Sequence, residues 1–172
     1  MKIKEYKLIS KEENGTFPQL ECIKEHKAIY DDVYLYFHHN KYEFEYMFFG
    51  DVLKLQDNYT EYYYIMAYDE SDDPIGIMQI SSGGKNKTII SFEIIFTFLL
   101  LIGSKSFISI HNHPNNNSEK SYEDITTDNT IKTLSQMLNI NYKEGLIITK
   151  KMITELHQKI ESFEKQYLEN DN

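Results

Sequence analysis

Ser109-Ile-His-Asn-His-Pro114, followed after a polar loop by Ser121-Tyr-Glu-Asp124, is the stretch from which the rest of the chain can be read. Phe107 to Ile110 is a short apolar run that reads as a strand, and its end delivers His111. Side chains alternate along a strand with a period of two, so His111 and His113 point to the same side and can converge on one ion. Zinc favours tetrahedral sites, and a catalytic site supplies three protein ligands and leaves the fourth position to water. Asp124 is the best third ligand: it lies in the first turn of the next helix, and the loop Pro114 to Lys120 is long enough to fold it back. Ser121 comes with it, because Ser121-Tyr-Glu-Asp124 has the serine-to-acid spacing of a capping box. Two imidazoles, one carboxylate and a water suit zinc, at one ion per chain.

Working outward, Ser91 can cap an apolar helix from Phe92 to Ile102, which Gly103 ends. Tyr62 to Tyr68 and Ile75 to Ser81 read as two strands joined by the turn Glu70-Ser-Asp-Asp-Pro74, an antiparallel hairpin followed by a loop at Gly83-Gly84. After the motif, Ile125, Ile131, Leu134 and Leu138 give one helix an apolar face, and Leu146 to Thr149 makes another strand. Ile153, Leu156, Ile160, Phe163 and Tyr167 recur at helical spacing and predict an amphipathic C-terminal helix over about 151–168. That stripe can pack on the domain or on a second copy, which would make a homodimer. The N-terminal segment has room for a short strand. Ile23, Ile29, Val33 and Phe37 predict a helix from Ile23 to Phe37, while residues 41–61 give no decisive pattern. The polar residues 169–172 are expected to form a disordered tail.

A metal-activated water still needs a general base, and a carboxylate that does not bind the metal suits that role. Glu93 stands at the start of an otherwise almost wholly apolar helix. On spacing alone it is an acid favourably placed against the helix dipole. The five residues together say more. A glutamate, His-x-His, seven residues, Ser, two residues and Asp resembles the JAMM motif of the JAB/MPN metalloproteases, filled here by Glu93, His111, His113, Ser121 and Asp124. The string Ser109-Ile-His-Asn-His-Pro114 is similar to the RadC-like branch, and the order of elements follows that branch from about Glu25 to Thr149.

The resemblance implies a three-layer α/β JAB/MPN domain, related in architecture to cytidine deaminases, with a mixed central sheet flanked by helices. It implies zinc on His111, His113 and Asp124, Glu93 as general base and then acid, and Ser121 as a hydrogen-bond donor to the water or the oxyanion. The activity it implies is zinc-dependent hydrolysis of a peptide or isopeptide bond in a protein or peptide substrate, a ubiquitin-like conjugate included. The alternative is a RadC-like accessory protein of DNA repair or mobile elements with a structural or vestigial metal. Two departures bear on substrate contacts. The loop after His113-Pro114 reads Asn115-Asn-Asn-Ser-Glu-Lys120 where the branch usually has Ser-Gly-Asp-Pro and a further proline, and Glu144-Gly145 replaces a common Asp-His pair.

The whole is expected to be one domain over 1–168, with its core at about 25–149; 172 residues suffice for one hydrophobic core. A net charge of −9 argues against a strong electrostatic grip on DNA, as does the lack, within this sequence, of the helix-hairpin-helix module that typically precedes RadC-like domains. The 14 tyrosines read as half-buried strand residues, since no basic residues interleave with Tyr62-Tyr63-Tyr64. The start Met1-Lys-Ile-Lys-Glu-Tyr-Lys7 lacks the apolar stretch of a secretory signal, and the longest apolar run, Ile94 to Ile102, is too short to cross a bilayer and reads as a buried core helix. A cytoplasmic protein is expected, with no membrane partner. Cys22 is the only cysteine; it excludes an internal disulfide and reads as a small buried or half-buried residue. His38-His39, near the end of the predicted helix, reads as a solvated pair compatible with the helix dipole, His26 and His157 show no partners in the sequence, and all four are left out of the site.

Overall fold

The computed structural model describes residues 2–10, 17–27, 42–82 and 90–170. Six strands form one mixed sheet: β1 (Lys2–Ser10), β2 (Pro18–Lys27), β3 (Tyr62–Tyr68), β4 (Pro74–Ser82), β5 (Ser106–Asn112) and β6 (Asn141–Ile148), in the spatial order β2-β1-β4-β3-β5-β6. The β1/β2, β3/β4 and β3/β5 pairs are antiparallel, and β1/β4 and β5/β6 are parallel. Four α-helices lie among the described residues: α1 (Glu43–Met47), continued by a π turn at Phe48–Val52; α2 (Phe92–Ile102); α3 (Tyr122–Leu138); and α4 (Lys150–Asn170).

The central strand β3 shows why the molecule has three layers. Tyr64, Met66 and Tyr68 join one core with Phe48, Phe49, Ile108, Ile110, Ile148 and Ile153, on the face covered by α1 and the start of α4. Tyr63, Ile65 and Ala67 join a second core with Ile95, Phe98, Leu99, Phe107 and Ile131, on the face covered by α2 and α3. The period of two thus sends alternate residues of one strand into two separate cores, helix on sheet on helix. This is the expected JAB/MPN architecture.

The hairpin of β3 and β4 is closed by Asp69, whose Oδ1 accepts the backbone N–H groups of Ser71 and Asp73. Ser91 caps α2 by accepting the Ile94 N–H at 3.3 Å, and Gly103 ends it with φ 74°, a left-handed position that costs glycine nothing. Helix α2 is less buried than its composition predicts: Ile95, Phe96, Phe98 and Leu99 are in the core, while Leu100 and Leu101 are exposed.

The N-terminal region corrects the sequence reading. Residues Ile23 to Lys27 belong to strand β2, not to a helix. The strand sits at the sheet edge and is exposed along most of its length, so only His26 is buried and no alternation marks it in the sequence. Residues 28–37 of the expected helix, His38-His39 and the loop at Gly83-Gly84 lie outside the described residues. Cys22 is exposed on β2. His26 and His157 do have partners, Glu5 at 2.8 Å and Asp51 at 2.9 Å respectively. The region 41–61 holds α1, the π turn and a 3-10 turn at Leu55–Asp57. The first part of the stripe on helix α4 packs back on the domain, with Leu156 against Met47 and with Ile160 and Tyr46 beside them, while the side chains of Phe163 and Tyr167 lie outside the described residues. It runs to Asn170, two residues into the stretch expected as tail; residues 171 and 172 lie outside the described residues. Among the described residues no helix is long and apolar enough to cross a membrane.

Candidate metal centre

Strand β5 leaves the core at its C-terminal end. Phe107 and Ser109 share a face with His111, and the strand is buried throughout. His111 is 4% exposed and stacks on Tyr63, its neighbour in β3, with ring centroids 5.6 Å apart and planes 14° from parallel. One residue beyond the strand, His113 donates from or accepts at Nδ1 opposite the Asn117 carbonyl at 2.7 Å. A carbonyl only accepts, so Nδ1 carries a hydrogen, which leaves Nε2 to offer its lone pair to an ion or, when the ring is protonated, to donate to Asp124. The loop expected to fold Asp124 back does so. Ser121 caps α3 by accepting the Asp124 N–H at 3.1 Å, and Asp124 Oδ2 accepts the Ser121 N–H at 2.7 Å, a complete capping box.

These elements bring three of the sequence-nominated side chains to one point. The Nε2 atoms of His111 and His113 are 3.0 Å apart, and the Asp124 carboxylate lies across both, Oδ1 at 3.2 Å from His111 Nε2 and Oδ2 at 3.4 Å from His113 Nε2. A tetrahedral zinc with bonds of about 2.0–2.1 Å separates its ligand atoms by about 3.3 Å, so the donor set fits such an ion in both chemistry and spacing. The orientation of His113 through its second ring nitrogen is also what a metal-binding histidine requires. Burial alone would raise the pKa of Asp124, but hydrogen bonds from His111, His113 and Ser121 outweigh it and hold the carboxyl well below its usual range. The same Asp124 contact raises His113 above its ordinary value.

Glu61 is the fourth member of the cluster, and the sequence reading passed over it. Its Oε1 lies 3.7 Å from His111 Nε2 and 3.9 Å from His113 Nε2, and the ligand atoms of all four residues lie within 4.8 Å of one another. Glu93 is not brought there: it is exposed in the first turn of α2 and lines neither the cluster nor the cleft above it. The reason is the sheet order. Strand β3 runs antiparallel beside β5 with Tyr63 opposite His111, so the start of β3 meets the end of β5 and Glu61 arrives beside the histidines. The available signal was an acid directly before a confidently read strand; what the sequence did not state was which strand lay next to the histidines.

The cluster opens into a cleft of about 900 Å³ bordered by Glu61, Tyr63, His113, Pro114, Ser121 and Asp124. Behind it, Ser109 donates to the Tyr142 hydroxyl at 2.8 Å, which donates to Asp128 at 2.7 Å, and Asp128 also pairs with Lys120 at 2.6 Å. This chain ties β5, β6 and α3 to the residue that precedes Ser121. Glu144 approaches the same lysine at 3.4 Å.

Residues 41–163 match the RadC-like JAB domain. Similar proteins include a UPF0758 protein of Methanospirillum hungatei, 27% identical over 107 residues that make up 62% of this chain and 48% of that one. A UPF0758 protein of Flavobacterium johnsoniae is 30% identical over 89 residues, 52% of this chain and 39% of that one, and one of Staphylococcus epidermidis is 28% identical over 102 residues, 59% and 45%. The alignments thus span less than half the length of each of these relatives. With the three-layer sheet, the histidine strand and the capped aspartate helix in place, the match over residues 41–163 decides the classification: the chain belongs to the RadC-like JAB domain family.

Proposed function

We propose that this domain is a zinc-dependent hydrolase of the JAMM type that cleaves a peptide or isopeptide bond in a protein or peptide substrate. The observation that carries the reading is the convergence of His111, His113 and Asp124 at spacings of 3.0–3.4 Å beside a cleft that His113 and Asp124 line, with a further carboxylate just outside those spacings. Zinc on the three side chains would supply Lewis acidity, polarising a carbonyl and acidifying a water. Glu61, rather than Glu93, is then the general base: its carboxylate takes the proton of the attacking water and returns it to the leaving nitrogen as the C–N bond breaks. Ser121 Oγ accepts the Asp124 N–H as a cap, which leaves its own hydrogen to donate to the carbonyl oxygen as charge develops there. A protein substrate suits the cleft better than DNA. Among the described residues its lining carries the exposed acids Glu119 and Glu123 and one lysine, Lys120, which is already paired with Asp128, an arrangement that favours a protein chain over phosphates.

The first test is metal content, by elemental mass spectrometry, of the chain purified without added metal or chelator, beside a folded His113→Ala control. Near one zinc per parent chain and little in the control is expected; a folded parent that neither retains nor takes up zinc ends the hydrolase reading. With metal established, a panel of peptides and lysine-linked conjugates is screened. Glu61→Gln is expected to keep its zinc and lose on the order of 10²–10⁴-fold in turnover. Full activity in Glu61→Gln together with its loss in Glu93→Gln would return the base to Glu93.

A further inference from the structure

Asn112 stands between the two histidines, and the alternation that turns them toward the cleft turns it to the opposite face of β5, where it is fully buried. There its carboxamide is completely used. Oδ1 accepts the Tyr62 N–H at 2.8 Å, and Nδ2 donates to the Thr60 carbonyl at 3.0 Å and toward the Asn58 carbonyl at 3.4 Å. All three partners belong to the backbone of 58–62, the segment that carries Glu61.

The backbone pairing of β3 with β5 ends at Tyr63 and His111. Beyond that point the Asn112 side chain takes the place of the next peptide group, offering one acceptor and two donors as a peptide-like amide. We infer that Asn112 is the positioning residue of the site: it extends the sheet by one side chain and thereby fixes Glu61 against the metal cluster. The inference rests on the proposed metal reading for its consequence, though not for its geometry. Leucine or alanine at 112 would leave the Tyr62 N–H and two carbonyls without partners inside the fold, and a free segment 58–62 would carry Glu61 away from Nε2 of both histidines. Aspartate would keep the acceptor and lose both donors. The asparagine therefore does work distinct from that of its neighbours: they hold the ion, and it sets the distance of the carboxylate.

Two measurements test this. In the first, the visible absorption of the Co2+-loaded parent is compared with that of Glu61→Gln, Asn112→Ala and the double variant. Asn112→Ala is expected to bind one Co2+ per chain and to take on the spectrum of Glu61→Gln, with no further change in the double variant. A parent-like spectrum in Asn112→Ala overturns the inference, and so does a folded Asn112→Ala that binds no Co2+, which would mean that the asparagine shapes the histidine strand instead. Identical spectra for parent and Glu61→Gln would also overturn it, since Glu61 would then not reach the water bound beside the three ligands. In the second, hydrogen exchange of the Tyr62 amide is followed in the metal-free chain. Protection in the parent, with exchange faster by about tenfold or more in Asn112→Ala, or in Asn112→Asp if the alanine variant does not fold, is expected. An unprotected Tyr62 amide in the parent overturns the latch without reference to any variant. A parent that binds no Co2+ but protects Tyr62 would fail the metal reading while leaving the latch supported.

Discussion

Two imidazole nitrogens 3.0 Å apart cannot both turn a bare lone pair toward the other without a proton or a cation between them. In the metal-free protein the proton fills that role, and Asp124 completes the arrangement. Its consequence is a pH dependence whose sign depends on metal. His113 is raised in the fold above its ordinary 6.5, so the stability it contributes is fully present below that value and is lost as pH rises through the raised value. Asp124 is lowered below its ordinary 3.8, so its contribution is present above that value and is lost only as pH falls well beneath it. The metal-free chain should therefore gain most from this cluster between the two ordinary values. Melting of chelator-treated protein is expected to show a midpoint that falls from about pH 5.5 to about pH 8.5, with a shallower slope in His113→Ala. Zinc-loaded protein should show the opposite sign over that range, because the ligands must be deprotonated to bind. The same slope with and without zinc would mean that the histidines do not hold the ion.

At the scale of elements, the site is built where β5, β6 and α3 meet, and Gly145 is the point of closest approach. A Cβ there would lie 2.3 Å from Asp128 Oδ1 and 2.6 Å from the Tyr142 hydroxyl, the two atoms that hydrogen-bond to each other across the helix–strand contact. The close approach requires a residue without a side chain here, because Tyr142 and Asp128 fill the space. Gly145→Ala is expected to destabilise the fold by about 1–3 kcal/mol, read from urea unfolding, through forced separation of that pair. Elements such as α2, α3 and β5 were legible because each signal was local: Ser91 and Gly103 bracket one helix, Ser121 and Asp124 cap the next, and a short apolar run precedes the histidines. Strand β2 was not legible, because an edge strand exposed along most of its length has no alternation, and the steps of four at Ile29, Val33 and Phe37 drew Ile23 into a helical reading.

For the whole molecule, both cores are built of apolar side chains, and of the metal ligands only His111 touches them, through its stack on Tyr63, so the site is a feature of a fold that stands by itself. Chelation is therefore expected to leave far-UV circular dichroism and cooperative unfolding intact. The thermal midpoint should fall by roughly 8–16 °C, relative to protein with free zinc at about a thousand times Kd. Unfolding on chelation would make the metal structural and favour the accessory-protein reading over the hydrolase. By itself the sequence determined the two histidines on one strand face and the aspartate on a capped helix, because strand period, helix period and capping are set within a few residues of one another, while the three-layer class came from the resemblance of the whole motif to the JAB/MPN family. Only the tertiary structure decided which carboxylate joins them. Glu61 and His111 are fifty residues apart in the chain, and their meeting depends on β3 lying antiparallel beside β5 and on Asn112 holding the segment before β3 in place. That is a matter of strand order and of one buried amide on the opposite face, neither of which leaves a periodic mark in the sequence.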